Sequence, residues 1–201
     1  VRGQEAHVQA HGRTLTDEAT FAGLVALWRA DLAAIRDRAG RVGPFLYPNF
    51  FAVAAFRVAV LLRRRGHAIL PRLITVVVTT LAQTELDPEA HVGPGFQIVH
   101  PVGSGIGPGV VAGRNLTLYQ GALLAAPSTR RGGFPHVGDD VVLYAKSSVI
   151  GDVSIGDGAV IGAHALVLHD VGAGTTVVAP EAAAVGLQEP APEPPPATER
   201  Q

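Results

Sequence analysis

The sequence predicts an α+β chain: an N-terminal α-helical segment, then a parallel β-helix of six-residue repeats with one extruded loop. Three observations carry this. From His136 the chain reads in blocks of six, HVGDDV, VLYAKS, SVIGDV, SIGDGA, VIGAHA and LVLHDV. The second place of every block is aliphatic: Val137, Leu143, Val149, Ile155, Ile161 and Val167. A fixed short period with an apolar second place is the mark of a solenoid, in which each turn covers the one before. Blocks of six also run upstream from His91, with second places Val92, Ile98, Ser104, Val110, Leu116 and Ala122. From Ala122 to Val137 the phase slips, and residues 125–135, AAPSTRRGGFP, have the Gly, Pro and Ser content of a loop thrown out of the coil. Loops on a rigid scaffold are where binding chemistry concentrates.

The rest of the chain divides around that solenoid. Residues 1–15 show no period and are expected to be loose. Residues 16–84 read as a helical oligomerisation segment. Thr16 is expected to open a first helix, with Phe21, Leu24, Val25, Trp28, Leu32 and Ile35 on one face and Gly40 ending it. A second helix is expected over about 49–65. Gly66 would be its C-cap, and Arg63, Arg64 and Arg65 are cations at the negative helix end rather than a phosphate site. A third spans about 69–83 with Pro71 in its first turn. The apolar stretch from Phe50 to Leu62 is too short to span a bilayer, and helices apolar all round more often pack on another copy. Residues 85–180 form the β-helix domain, and the Pro- and Glu-rich residues 181–201 are expected to be a disordered tail.

Composition narrows the function classes. Net charge is −1, so long-range attraction to nucleic acid is not implied. Cysteine is absent, which removes disulfides, thiolate metal sites and thiol nucleophiles. No metal is expected. The first apolar run follows some twenty polar or mixed residues, so no signal peptide is expected and a cytoplasmic location is.

Residues spread along the chain carry a family resemblance. They include Ala30-Asp31-Leu32, Phe56-Arg57-Val58-Ala59, Leu86-Asp87-Pro88, His100, Asn115-Leu116-Thr117, Gln120-Gly121, Val149-Ile150-Gly151 and Leu166-Val167-Leu168-His169-Asp170-Val171. Over about residues 28–180 the chain resembles the serine O-acetyltransferases among the hexapeptide-repeat acyltransferases. The resemblance implies a left-handed β-helix and acetyl-CoA as co-substrate; the apolar β-helix face and helix pair are expected to make a homotrimer, with pairing of trimers through the N-terminal helices left open. The resemblance also implies that His100 is the general base and that Glu85, an Asp in the family, orients it. Imidazole suits proton transfer near neutral pH, and a carboxylate behind it fixes its tautomer. His91, His164 and His169 read as coil-surface residues.

The departures concern the acceptor. Where the family holds serine's charges with an Asp after the first helix, an Asp before the catalytic histidine and an Arg-His pair before proline, this chain has Ala39, Val99, Gly133 and Phe134. A buried zwitterion without partners costs several kcal/mol per charge, so free serine is a poor acceptor candidate. Val99, Phe134, Ala39 and Gln120 are the expected acceptor-binding residues. On the donor side the resemblance implies contacts at Ala126, Ala145, Gly162 and Ala163, with Lys146, Arg130 and Arg131 as substitute phosphate contacts. The reading is O-acyl transfer, most simply acetyl transfer, to a hydroxyl of a small metabolite or natural-product intermediate. A catalytically silent trimeric scaffold and a divergent serine O-acetyltransferase are the alternatives.

Overall fold

The hexapeptide period becomes a three-sided coil in the computed structural model, which describes residues 20–39, 48–128 and 133–181. Three helices lead: α1 (Phe21–Ala39), α2 (Pro48–Arg64) and α3 (Ile69–Ala82). Fourteen short strands follow, β1 (Glu85–Leu86) to β14 (Thr176–Val177), all paired in parallel. The first face of the left-handed β-helix carries β1, β4 (Gly105–Ile106), β7 (Leu123–Ala125), β10 (Ser148–Ile150) and β13 (Leu166–Val167). The second carries β2 (His91–Val92), β5 (Val111–Ala112), β8 (His136–Val137) and β11 (Ser154–Ile155). The third carries β3 (Gln97–Ile98), β6 (Thr117–Leu118), β9 (Val142–Leu143), β12 (Val160–Ile161) and β14.

Leu86, Val92, Ile98, Ile106, Ala112, Leu118, Leu124, Val137, Leu143, Val149, Ile155, Ile161 and Val167 point into one continuous core. Each large aliphatic side chain fully buried in this way stabilises by roughly 1.5–3 kcal/mol. The downstream blocks keep the expected phase. Upstream, Val92 and Ile98 keep it too, but the next four blocks do not: Ile106, Ala112, Leu118 and Leu124 hold the strand positions, two residues beyond Ser104, Val110, Leu116 and Ala122. The latter four are buried as well, at the small inner position before each strand. Both phases therefore read as apolar. The slip occurs in the turn of residues 99–104, which has six residues where the later turns on that edge, 119–122, 144–147 and 162–165, have four. The register records it: Glu85 pairs with Gly105, 20 residues on, whereas Gly105 pairs with Leu123, 18 on. The second slip is the expected loop between β7 and β8.

The turns between the second and third faces stack through glycine. A Cβ on Gly113 would lie 2.2 Å from Asp139 Oδ1 and 2.9 Å from the Gly138 backbone, so no other residue fits there. In exchange Asp139 Oδ1 accepts the Arg114 N–H at 2.7 Å, and Asp157 Oδ1 accepts the Asp139 N–H at 2.7 Å, which ties coil to coil.

The helices are latched to the first coil by an ion pair that the helical periodicity does not announce. Asp31 on α1 and Arg57 on α2 meet with both side chains 1% exposed. Asp31 accepts from Arg57 Nε at 2.9 Å, from Nη2 at 3.0 Å and from the Phe96 N–H at 2.9 Å. Arg57 also donates to the Val92 carbonyl and, at 2.7 Å, to the Gly93 carbonyl. The rings of Phe56 and Phe96 flank the guanidinium. Trp28 Nε1 donates to the Ala54 carbonyl at 3.1 Å and fixes α1 on α2.

Thr20 caps α1, with the Gly23 N–H on its Oγ1 at 2.9 Å; the expected opening at Thr16 and the segment 1–15 lie outside the described residues. Phe21 is exposed, unlike Leu24 and Ile35 on the same stripe. Gly66 ends α2 as expected, at φ +86°. The Gly66 and His67 N–H groups donate to the Arg63 and Leu62 carbonyls at 3.0 Å each. Arg63 is an ion-pair partner of Glu89 as well as a helix-end cation. Along α3, Ile69, Leu73, Val76, Val77 and Leu81 are exposed. No helix among the described residues is long and apolar enough to cross a membrane.

Candidate active site

The edge where the third face turns into the first collects most of the candidate residues. Successive coils place corresponding residues side by side along it. The N–H of Val99 donates to the Leu118 carbonyl at 2.8 Å, that of Tyr119 to Leu143 at 2.9 Å and that of Tyr144 to Ile161 at 2.8 Å. Val99, Tyr119, Tyr144 and Gly162 are thus one column. In the turns beside it, Gly121 donates to Val102 at 3.0 Å, Lys146 to Gln120 at 2.8 Å and His164 to Ala145 at 3.0 Å. The edge therefore carries Val99 and His100 on the first coil, Gln120 on the next, then Ala145 and Lys146, then Gly162 and Ala163.

His100 sits in the six-residue turn, exposed at its outer side. The turn closes on Ser104, whose carbonyl accepts the Glu85 N–H and the Thr84 hydroxyl, each at 3.0 Å. Glu85 thereby begins β1 beside the far end of the His100 turn, also exposed. No side-chain hydrogen bond joins His100 to Glu85 among the described residues. The turn is held from below by a residue that sequence reading did not single out. Asn49, at the start of α2, donates through Nδ2 to the Ile98 carbonyl at 2.9 Å and accepts the Phe50 N–H at 2.9 Å. It fixes the backbone just before Val99 and His100, from 49 residues away in sequence.

The other expected acceptor and donor residues lie elsewhere. Phe134 and Ala126 flank the loop on the edge between the first and second faces, a full face away from Val99 and His100 in the same chain. Phe134 lies over two glycines: a Cβ on Gly107 would be 2.9 Å from its Cε1, and one on Gly109 2.1 Å from its Cδ2. Gly133 is pressed onto the coil below, where a Cβ would be 2.5 Å from Asp152 Cβ. Within one chain the structure does not bring Phe134 or Ala126 to His100. Ala39 ends α1, with its side chain outside the described residues, as are Arg130, Arg131 and residues 182–201.

Further features bear on chemistry. Gln120 Oε1 is buried and meets no hydrogen-bond donor among the described residues. Lys146 and His164 occupy the left-handed region at φ +59° and +60°, where Gly103 and Gly121 serve the earlier coils. Burial pushes the Asp87 carboxyl above its ordinary range. The Glu89 charge adds to the rise, and the Glu89 N–H and the cations Arg72 and Arg63 oppose it. His91, expected at the surface, is buried on β2, while His164 and His169 are exposed as expected. The small residues Ala145, Gly162 and Ala163 keep the lower edge low-walled, and Lys146 is a cation beside them.

Residues 134–169 match the family model "Bacterial transferase hexapeptide (six repeats)". The serine acetyltransferase of Synechococcus elongatus is 35% identical over 125 residues, 60% of this chain and 51% of the relative. Serine acetyltransferase 1, chloroplastic, of Arabidopsis thaliana is 33% identical over 167 residues, 80% of this chain and 53% of the relative. The chain thus spans about half the length of these curated relatives. The soybean serine acetyltransferase apoenzyme superposes with a TM-score of 0.72 at 31% identity, covering 81% of this chain and 69% of that one. With the hexapeptide model matched and a relative 31% identical covered over 69% of its own length on the same fold, the chain belongs to the serine acetyltransferase family of hexapeptide-repeat transferases.

Proposed function

We propose that the chain is an acetyl-CoA-dependent O-acetyltransferase whose acceptor is a neutral hydroxyl compound rather than free serine. The family's curated members named above are serine acetyltransferases, which supports acetyl transfer as the reaction class. His100 takes the acceptor's hydroxyl proton as its oxygen attacks the acetyl carbon. An ester bond forms, the thioester C–S bond breaks, and His100 returns the proton to the departing thiolate. Glu85 holds the imidazole in the tautomer that presents a lone pair, its side chain turning in once the acceptor is bound. Backbone N–H groups of the edge receive the developing oxyanion.

The observation that carries the acceptor reading is the base of the loop. Gly133 and Phe134 are built into the coil packing, against Asp152 and across Gly107 and Gly109. An arginine at 133 would collide with Asp152 unless the loop moved. Gly133, Phe134 and Val99, where the family holds serine's charges, have no charged groups of their own to pair with a carboxylate or an ammonium, and stranding each charge costs several kcal/mol.

A site containing both His100 and Phe134 requires two copies, the histidine edge of one beside the loop edge of its neighbour. Three-fold closure supplies three such junctions. The exposed apolar stripe of α3 supports self-association, including pairing of trimers. A second reading, a divergent serine acetyltransferase, is favoured by the names of the relatives. The test is thiol release from acetyl-CoA with mass spectrometry of an acceptor pool containing serine and neutral alcohols. The proposal expects an O-acetylated neutral alcohol and unmodified serine. Saturable serine acetylation would overturn it.

A further inference from the structure

Two tyrosines stack outside the core on adjacent coils. The rings of Tyr119 and Tyr144 lie 4.8 Å apart at 22°, the spacing of adjacent coils. Tyr144 is 41% exposed although its neighbour Leu143 is fully buried, so its ring stands on the outer side of the third face. The column that holds them runs from Val99, beside His100, to Gly162 on the donor half of the edge. Next to Tyr119 in sequence, with its carbonyl accepting the Lys146 N–H at 2.8 Å, is Gln120, whose buried Oε1 meets no donor among the described residues. An acceptor oxygen left unmet in a protein interior costs free energy that a ligand's hydroxyl would recover.

We propose that Tyr119, Tyr144 and Gln120 form an acceptor subsite for a neutral hydroxylated ring compound. Its flat face would lie on the tyrosine pair, and one of its hydroxyls would donate to Gln120 Oε1. A stacked aromatic wall favours a ligand with a flat apolar face, and a single amide oxygen selects a hydroxyl over a carboxylate. Sugars and aromatic alcohols share this chemistry. His100 stands at the upper end of the column, one coil from Tyr119, and a second hydroxyl of the same ring can reach it. The role of His100 rests on the acetyl-transfer reading above; the binding of the ring does not.

The experiment separates the two. Saturation-transfer NMR and titration of the full chain would use methyl glucoside and benzyl alcohol as probes, with ethanol as the ringless control. Wild type is compared with Tyr144→Ala and Gln120→Leu, each checked for native circular dichroism. Tyr144→Leu keeps bulk without the ring should the alanine variant lose its fold. One or both ring probes bind wild type better than ethanol, and which arm binds identifies the source. Each variant weakens that binding by roughly ten-fold while affinity for CoA stays within about two-fold. Binding with no thiol release from acetyl-CoA would leave the subsite standing and remove the transfer reading. Three results overturn the subsite: neither ring binds, the variants bind as well as wild type, or the loss falls on CoA instead.

Discussion

Replacing Arg57 with Met leaves Asp31 as an anion in a dry interior. Three of the contacts described above vanish with the guanidinium: two to Asp31 and the one to Gly93, all at 3.0 Å or less. The contact to the Val92 carbonyl goes too. Asp31 retains the Phe96 N–H, which is insufficient for a carboxylate 1% exposed. Breaking such a pair by removing one partner costs about 3–5 kcal/mol, most of it the stranded charge. Asp31→Leu strands the guanidinium and should cost a similar amount. The double variant removes both charges and should fall well short of the sum, with a coupling of at least about 2 kcal/mol. Urea denaturation at fixed protein concentration measures this, read as midpoint shifts at constant slope. Additive effects, or single variants costing under about 1 kcal/mol as an exposed pair would, refute the latch.

Other outcomes follow from the same geometry. Asn49→Leu should cost about 1–3 kcal/mol through the unmet Ile98 carbonyl. It should lower kcat for acetyl transfer more than KM, because it loosens the turn that aims His100; an unchanged kcat would show that the turn holds itself. His100→Ala should lower turnover by about 10²–10⁴-fold with the fold intact, and Glu85→Gln by less, as steady-state thiol release would show. Asp87 has its folded-state pKa raised, so its contribution to stability is present below the unfolded value of 3.8 and is lost as pH rises through the folded one. Asp87→Asn should therefore be more stable than wild type at pH 7, with the gain fading in acid, as thermal melts across pH would report. Lys146→Gly should stabilise by about 1 kcal/mol, since the left-handed conformation at φ +59° costs a side chain that much. The same change should weaken CoA binding in calorimetry if the Lys146 ammonium meets its phosphates.

Much of the architecture is legible in the chain because the solenoid repeats locally. Val137 to Val167 hold one phase over six blocks, so a single rule places thirty-six residues. Upstream the same rule places β2 and β3 but misplaces β4 to β7 by two residues. Ser104, Val110, Leu116 and Ala122 are buried at the inner small position, and composition alone does not tell one inward position from the other. The misreading hides the most consequential feature of the coil, the lengthened turn that carries His100. Contacts between distant residues are harder still. Asp31 looks like one of several charged residues along α1, Arg57 like a single charge in the apolar middle of α2, and Asn49 like a polar helix start. Their roles appear only when α1 and α2 lie against the first coil. The tyrosine pair is visible only once the register sets Tyr119 beside Tyr144, 25 residues apart. Phe134 and Val99 read as one apolar pocket in sequence, yet they occupy different edges of the prism. Only a second copy can join them.

The measurement closest to the central claim is a competition at limiting acetyl-CoA, with purified wild-type chain, serine and a neutral ring alcohol at equal concentration. Products are resolved by mass spectrometry, and His100→Ala is run in parallel. The account predicts an acetyl ester of the ring alcohol, lost in the His100 variant, and serine acetylation no higher than in the enzyme-free control. Preferential, saturable acetylation of serine by wild type would contradict it.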